Sequence, residues 1–305
     1  MSPDGRRHAP LNGLPLGRGA EPGGRGRLVR QVRTAGACLL LLVACRPSGK
    51  QLAETGHPTP EAAAKAEADL AAAAAPPATQ LPPVAPELIS HGRRDRKEIA
   101  LTFDACSTRE PSKYDARVTA ALLAANAPAT IFLGGSWAKE EVAQVKVLAS
   151  HPQFELGNHT YTHPHLPSLK DEARIRAEIV RTQDEVAALT GHRPRLFRPP
   201  YGEYNARLVG IAAELGLTTV EYDLASGDPD QHATKERLIH WVLEKAQPGS
   251  IIVMHINHRR FHTAEALPAI IAGLRSRGFE LVTVGELIKA GRGERLAPAA
   301  SASTP

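Results

Sequence analysis

Residues capable of acid–base or metal chemistry follow several short apolar segments of this sequence. They are Asp104 after residues 98–103, His159 and His163 after residues 154–156, Arg198 after residues 196–197, Asp228 after residues 218–222, and His255 after residues 250–254. One such residue would mean little, but five segments of this set that end in this way are not explained by solubility alone. If the segments are parallel strands, their carboxyl ends lie at one edge and these side chains meet there.

The types and spacing of these residues favour a metal-assisted hydrolysis. His159 and His163 are four apart in GNHTYTHPHL, which predicts two imidazoles on one side of a helical turn, able to hold a divalent metal. Arg198 precedes two φ-restricted prolines and a glycine in FRPPYG, a rigid turn that can aim a guanidinium at a carboxylate and present the next backbone N–H. Each pattern also has an ordinary interpretation, because surface histidine pairs are common and Asp228, before a proline, is also suited to a turn.

The segments around these residues alternate between strands and helices. Predicted strands cover residues 98–103, 129–133, 154–156, 196–197, 218–222, 250–254 and 280–283; predicted helices cover residues 115–125, 139–150, 169–189, 205–215, 235–246 and 263–277. Strands that alternate with helices of ten or more residues indicate a parallel sheet with crossover helices, and therefore an α/β fold. Seven or so such units favour a single-domain barrel over an open sheet, because a barrel leaves no exposed strand edge.

The basic residues concentrate at the amino terminus. The net charge is +5, and residues 1–45 contain seven arginines against two acidic residues, so the rest of the chain is formally neutral and nucleic-acid binding is not expected. Basic residues precede the apolar run 35–44, which is too short to span a bilayer and is typical of a signal peptide. Leu42-Val43-Ala44-Cys45 resembles a lipobox. We therefore expect residues 1–45 to be a signal peptide whose Cys45 carries a lipid, with a plain secretory signal as the alternative.

Composition divides the remainder of the chain into three parts. Residues 46–92 are rich in alanine and proline and predict a disordered tether, and residues 291–305 predict a disordered tail. The domain is expected to cover residues 93–290. Of the three cysteines, Cys38 would be removed with the signal peptide, Cys45 acylated and Cys106 left alone, so no intrachain disulfide is expected.

The series TFDA, HTYTH, RPPYG, SGDPD and VMH resembles, in order and spacing, the polysaccharide deacetylase superfamily over about residues 97–287. These are the NodB homology domains of carbohydrate esterase family 4. The resemblance implies a distorted (β/α)7-type barrel with parallel strands. It also implies a divalent metal, with zinc as the expected ion, and removal of N-acetyl groups from peptidoglycan, chitin-like or other glycans.

The resemblance also implies a role for each residue. Asp104 would be the general base that takes a proton from a metal-bound water, with Arg198 keeping it ionised, and His255 would be the general acid, its pKa tuned by Asp228. His159 and His163 would hold the metal. The substrate and oxyanion site would include Pro200, Tyr201 through its backbone N–H, and Asn257, with His262 as a further pocket residue.

One position departs from the family pattern, because Ala105 stands where the motif has a second, metal-binding aspartate. The two histidines and extra water would then hold the metal weakly, or another side chain would replace the aspartate. The expected substitutes are Asp104 itself or Asp115; a Cys106 thiolate points to the same side as Asp104 only if no bulge intervenes. Alternatively, catalysis is lost and the domain only binds glycan.

The retained acid and base favour an enzyme. We expect a monomeric, metal-dependent polysaccharide N-deacetylase, exported and lipid-anchored to the bacterial cell envelope, or secreted if Cys45 is not acylated. The alternatives are a non-catalytic glycan-binding lipoprotein and a related C–N hydrolase of a small amide, although the export signal argues against the latter.

Overall fold

The computed structural model describes residues 80–107 and 113–292. The expected signal peptide with its lipidated Cys45, the tether up to residue 79 and the tail from residue 293 lie outside these residues. Within the part of the chain that the structure describes, no helix is long and apolar enough to cross a membrane.

The described residues contain nine strands and eight α-helices. The strands are β1 (Leu88–Ile89), β2 (Glu98–Ala105), β3 (Ala129–Leu133), β4 (Phe154–Asn158), β5 (Leu196–Phe197), β6 (Thr218–Val220), β7 (Leu224–Ala225), β8 (Ile251–His255) and β9 (Glu280–Val282). The helices are α1 (Ala116–Ala124), α2 (Gly135–Glu140), α3 (Val142–Ser150), α4 (Glu172–Thr190), α5 (Ala206–Glu214), α6 (Lys235–Lys245), α7 (Thr263–Ser276) and α8 (Val284–Gly291).

All strands belong to one parallel sheet with the order β1-β6-β5-β4-β3-β2-β8-β7, and β9 pairs with the first residues of β2. The sheet curls into a half-barrel with helices around it, which confirms the predicted single-domain, distorted (β/α)7-type barrel. The expectation that closure removes every edge is not met among the described residues, because the strand order ends on β1 and β7.

The centre of the sheet is β2. Its sequence EIALTFDA is buried at every position, as expected for a parallel strand covered on both faces. It pairs with β3, β8 and β9, and Asp104 lies beside His255 in the register with β8. The sheet therefore brings the predicted base and the predicted acid to the same edge.

The elements differ from the prediction at four places, one of which is the unpredicted two-residue strand β7. The tether does not extend to residue 92, because β1 pairs with Thr219 and Val220 of β6; a two-residue strand in a proline-rich segment leaves no periodic signal. The single helix expected over residues 139–150 is two helices, α2 and α3, that meet at Glu141 with φ −109° and ψ 41°. Helix α8 was not predicted; it begins with a capping box between Thr283 and Glu286, and the described chain extends to Arg292.

Candidate active site

Asp104 and Arg198 form a buried ion pair at the end of β2. The Arg198 side chain is fully buried and its Nη1 donates to Asp104 Oδ1 over 2.9 Å and to Thr102 Oγ1 over 2.8 Å. The Phe132 ring centroid lies 4.1 Å from the Arg198 guanidinium carbon. Burial alone would raise the pKa of Asp104, but the charges of Arg198, His159 and His255 lower it below its ordinary value. Asp104 is therefore held as a carboxylate.

Phe132 takes this place because residue 157 is glycine. A Cβ added at Gly157 would lie 2.5 Å from the Phe132 ring, so the ring and the strand can approach each other only without a side chain there. A glycine of β4 therefore helps to fix the arginine that holds Asp104.

His159 lies just beyond β4 and is completely enclosed. Its Nδ1 donates to the Arg198 carbonyl oxygen over 2.8 Å. This hydrogen bond directs Nε2 toward Asp104 Oδ2 at 3.7 Å and Cys106 Sγ at 3.6 Å. A histidine whose second nitrogen donates to a carbonyl is oriented as a metal ligand usually is.

An irregular loop brings His163 next to His159. The prediction of a helical turn from their spacing is therefore wrong. Thr160 and His163 have φ values of 62° and 59°, and the two imidazole centroids lie 4.9 Å apart. The loop is held by the buried Glu178 of α4, which accepts hydrogen bonds from Tyr161 N, Thr162 N and Thr162 Oγ1. Strained backbone that persists because its surroundings fix it is common at functional sites.

Cys106 lies with the two histidines, whereas Ala105 does not. Ala105 is fully buried in the hydrophobic core. Cys106 is 9% exposed, and one ligand atom from each of Cys106, His159 and His163 lies within 4.8 Å of the others. Burial alone would raise the pKa of the Cys106 thiol, but hydrogen bonds with His159, His163 and His255 lower it well below its ordinary value.

The two carboxylates expected to replace the missing aspartate both lie outside the group of three close ligand atoms. Asp115 is the N-cap of α1 and accepts hydrogen bonds from Arg117 N at 3.1 Å, Nε at 2.9 Å and Nη2 at 2.8 Å. Asp104 Oδ1 accepts a hydrogen bond from Arg198, while Asp104 Oδ2 lies 3.7 Å from His159 Nε2. A divalent metal fits the chemistry of the thiol and two imidazoles that the structure brings together.

His255 and Asp228 form the second charged pair of the site. His255 Nδ1 donates to Asp228 Oδ1 over 2.9 Å, and its backbone N–H donates to Asp228 Oδ2 over 2.7 Å. Ser226 Oγ and Thr263 Oγ1 also donate to this carboxylate, at 3.0 and 2.7 Å. Burial lowers the pKa of His255, but Asp228 and Cys106 together raise it well above its ordinary value. The contacts with Asp228 therefore favour the protonated form of His255.

These groups line one cavity that continues into a larger groove. The cavity, of about 340 Å³, includes Asp104, His159, His163, Asp228 and His255 in its wall. The groove has a volume of about 870 Å³ and shares Cys106, His163, Tyr201, Pro229 and His255 with the cavity. Such dimensions suit a sugar residue within an extended chain.

Among the predicted substrate residues, Tyr201 alone lines the cavity. Its side chain is 53% exposed and stacks on His165, with centroids 3.9 Å apart, and its φ of 63° fixes the peptide that carries the predicted N–H donor. Pro200 is buried beside it. Asn257 is fully buried and donates from Nδ2 to the Cys106 carbonyl oxygen over 2.8 Å, so it positions Cys106 and does not line the pocket.

His262 is also outside the cavity wall. It lies at the start of α7, where its Nδ1 bonds Glu265 Oε2 over 2.8 Å.

Three residues near the site were not selected from the sequence. His258 and Phe261 line the groove on the loop after β8, where a second histidine close to His255 was the only signal in the sequence.

Glu221 is the third of these residues. It is 5% exposed, and burial raises its pKa to about 7; the charge of Arg198 lowers this pKa, and the charge of Asp104 raises it further. Within the described residues its Oε1 has no hydrogen-bond partner. In the sequence, the only indication of Glu221 was a single acidic residue inside the apolar segment 218–222.

Comparison with known proteins gives consistent relatives. A sequence model of the family described as polysaccharide deacetylase matches residues 91–220. The chain is 31% identical over 222 residues to YlxY of Bacillus subtilis, described as uncharacterized, covering 73% of this chain and 67% of the relative. It is 29% identical over 201 residues to a peptidoglycan-N-acetylglucosamine deacetylase of Bacillus cereus, covering 65% of this chain and 70% of the relative.

The fold is also similar to that of BA3943 of Bacillus anthracis, described as a CE4 family pseudoenzyme. The TM-score is 0.61 with 29% identity, covering 67% of this chain and 70% of that chain. A BA3943 mutant described as having restored enzymatic activity matches with the same TM-score of 0.61 and 30% identity, covering 67% of this chain and 72% of that chain. Together with the five motifs at the strand ends, these matches show that the chain belongs to the polysaccharide deacetylase family, carbohydrate esterase family 4.

Proposed function

We propose that this protein is a metal-dependent hydrolase that removes N-acetyl groups from a glycan of the bacterial cell envelope or its surroundings. The observation that carries the proposal is the presence of both halves of an acid–base pair in one cavity. Arg198 holds Asp104 as a carboxylate, and Asp228 holds His255 in its protonated form. A protein that only binds glycan has no need of a base and an acid with opposite protonation states.

The proposed reaction breaks the amide bond between the acetyl group and the sugar nitrogen. A divalent cation at His159 and His163 would polarise the acetyl carbonyl and lower the pKa of the attacking water. Asp104 accepts the proton from that water as its oxygen bonds to the carbonyl carbon. His255 then donates its proton to the sugar nitrogen as the C–N bond breaks, so that acetate and a free amine leave the cavity.

The oxyanion of the tetrahedral intermediate needs a hydrogen-bond donor from the protein. The backbone N–H of Tyr201 is the proposed donor, because the φ of 63° at this residue sets the direction of its peptide beside His163. Removal of one such donor typically reduces the rate by about 10²–10³.

A polymeric substrate is favoured over a small amide. The groove of about 870 Å³ extends beyond the cavity, and the exposed Tyr201 ring at its wall offers a flat surface for a sugar ring. A relative described as a peptidoglycan-N-acetylglucosamine deacetylase supports the same substrate class. We further propose that the protein acts as an exported monomer, anchored to the membrane through a lipid on Cys45.

The test is acetate release from peptidoglycan and from chitooligosaccharides by the purified zinc-loaded protein. Asp104→Asn should abolish acetate release and retain the metal, whereas His159→Ala should lose metal and activity together. Asp184→Asn, which changes an exposed carboxylate on α4, should leave activity unchanged. Release of the metal by Asp104→Asn would show that Asp104 is a ligand and not the base.

Non-catalytic glycan binding is the second candidate function. It is favoured by Ala105 at the position of the family aspartate and by the likeness to a protein described as a pseudoenzyme. Absence of acetate from every glycan tested, together with saturable binding of the same glycans, would support this function instead.

A further inference from the structure

We propose that the Cys106 thiolate takes the place of the missing aspartate and holds the metal together with His159 and His163. The inference deepens the proposed function, on which its catalytic meaning rests, but metal binding can be measured without any glycan. Cys106 would then supply the third ligand that Ala105 cannot provide.

The distances fit a shared ion. A thiolate at about 2.3 Å and an imidazole nitrogen at about 2.0–2.1 Å from a tetrahedral zinc lie about 3.5 Å from each other. Cys106 Sγ and His159 Nε2 are 3.6 Å apart. His163 lies within 4.8 Å of both ligand atoms, a gap that a side-chain rotation can close.

The alternation of side chains along β2 explains why residue 106 reaches the site. Successive residues of an extended chain point to opposite faces, so Asp104 and Cys106 share the face that carries the site while Ala105 points into the core. The ligand is therefore displaced by one position along the chain relative to the family motif, and the aspartate that precedes it remains available as the base.

The backbone around Cys106 is held on both sides. Gly134 N donates to the Ala105 carbonyl oxygen over 2.9 Å, and Asn257 Nδ2 donates to the Cys106 carbonyl oxygen over 2.8 Å. A Cβ at Gly134 would lie 2.7 Å from Ser107 N, so this approach requires glycine. These contacts fix the direction of the thiol before any metal binds, as the surroundings of a metal ligand usually do.

A thiolate changes which metals the site accepts. Binding forms a sulfur–metal bond with the Cys106 thiolate, which suits zinc, cobalt and cadmium. Oxygen-preferring ions such as magnesium and calcium are poor partners for a Cys-His-His set. The site should therefore be selective for thiophilic metals to a degree that an Asp-His-His set is not.

The test is titration of the metal-free full-length protein with cobalt(II), followed by absorption spectroscopy. We expect one cobalt per chain and a thiolate-to-cobalt charge-transfer band in the near ultraviolet. In Cys106→Ser the band should disappear and cobalt affinity should fall by at least about 100-fold, since even loss of an outer partner of a ligand costs about 10–100-fold. Cys106→Asp should also lose the band but retain stoichiometric cobalt.

Matched controls separate Cys106 from the other thiols and from catalysis. The double variant Cys38→Ser/Cys45→Ser should keep the full band. The inference would be overturned if the parent protein bound stoichiometric cobalt without showing the band. Unchanged cobalt affinity in Cys106→Ser would overturn it as well. A band that depends on Cys106 in a protein that releases no acetate would leave the metal site standing and reject only the deacetylase function.

Discussion

Replacement of Glu221 by glutamine should change how the stability of this protein depends on pH. Burial raises the pKa of this carboxyl group from an ordinary value of 4.5 to about 7, while Arg198 opposes the rise and Asp104 adds to it. Between these two pH values the folded protein keeps a proton on Glu221 that the unfolded chain has released. The free energy of unfolding therefore falls as pH rises through this range, and the loss persists above it.

The size of the effect follows from the same values. A pKa that changes from 4.5 to about 7 corresponds to about 3 kcal/mol, at about 1.36 kcal/mol per pH unit. The glutamine variant has no proton to lose. The free energy of unfolding of Glu221→Gln minus that of the parent protein should therefore increase by about 3 kcal/mol between about pH 4 and about pH 8.5. A constant difference between the two proteins does not affect this increase.

The assay is urea unfolding of the chelator-treated protein at both pH values, because a bound metal would add its own pH dependence. Groups that do not interact with Glu221 contribute equally to both proteins, so their effects cancel in the comparison. Glu140→Gln, at an exposed residue at the end of α2, should keep the pH profile of the parent. If Glu221→Gln and the parent lose stability in parallel, Glu221 is ionised in the folded protein and the reasoning is wrong.

Three further outcomes follow from the geometry of the site. Asp228→Asn removes the charge that keeps His255 protonated, so the high-pH limb of the kcat/KM profile for acetate release should move to lower pH; an unchanged limb would exclude His255 as the acid. Gly134→Ala places a Cβ against the Ser107 backbone and should cost about 1–3 kcal/mol in urea unfolding, whereas Gly210→Ala, in open space on α5, should be neutral or stabilising. Glu178→Gln loosens the loop that carries His163 and should weaken zinc binding by about 10–100-fold in a competition with a chromogenic chelator; unchanged affinity would show that the loop holds itself.

Much of the fold was readable from the sequence because the strands are short apolar runs between clear breakers. Residues 98–103 and 129–133 were predicted within a few residues of β2 and β3. The two-residue strands β1 and β7 were missed, since their pairing is decided by distant partners, Val220 for β1 and Ile252 for β7. Local pattern carries no information about such contacts.

The polar strand ends were predicted as a group, and the structure places all of them in the wall of one cavity except Arg198, which is fully buried beside Asp104. The position of Cys106 was harder to predict. A shift of one residue at the end of a strand turns each following side chain to the opposite face of the sheet. The spacing of His159 and His163 suggested a helical turn, but positive φ values at Thr160 and His163 bring the imidazoles together instead. Glu221 resembled any polar interruption of a strand, and its burial beside Arg198 depends on the tertiary fold.

The pairing of β2 also has a consequence for the order in which the molecule is assembled. Thr102 Oγ1 donates to the Ile252 carbonyl oxygen, 150 positions further along the chain, and β9 joins β2 later still. Contacts between such distant segments slow folding, because a long loop must close before they form. His255 reaches Asp104 only when this last third is in place, so we expect the site to form late. Until then we expect the Cys106 thiol, which is 9% exposed in the folded protein, to remain accessible to solvent.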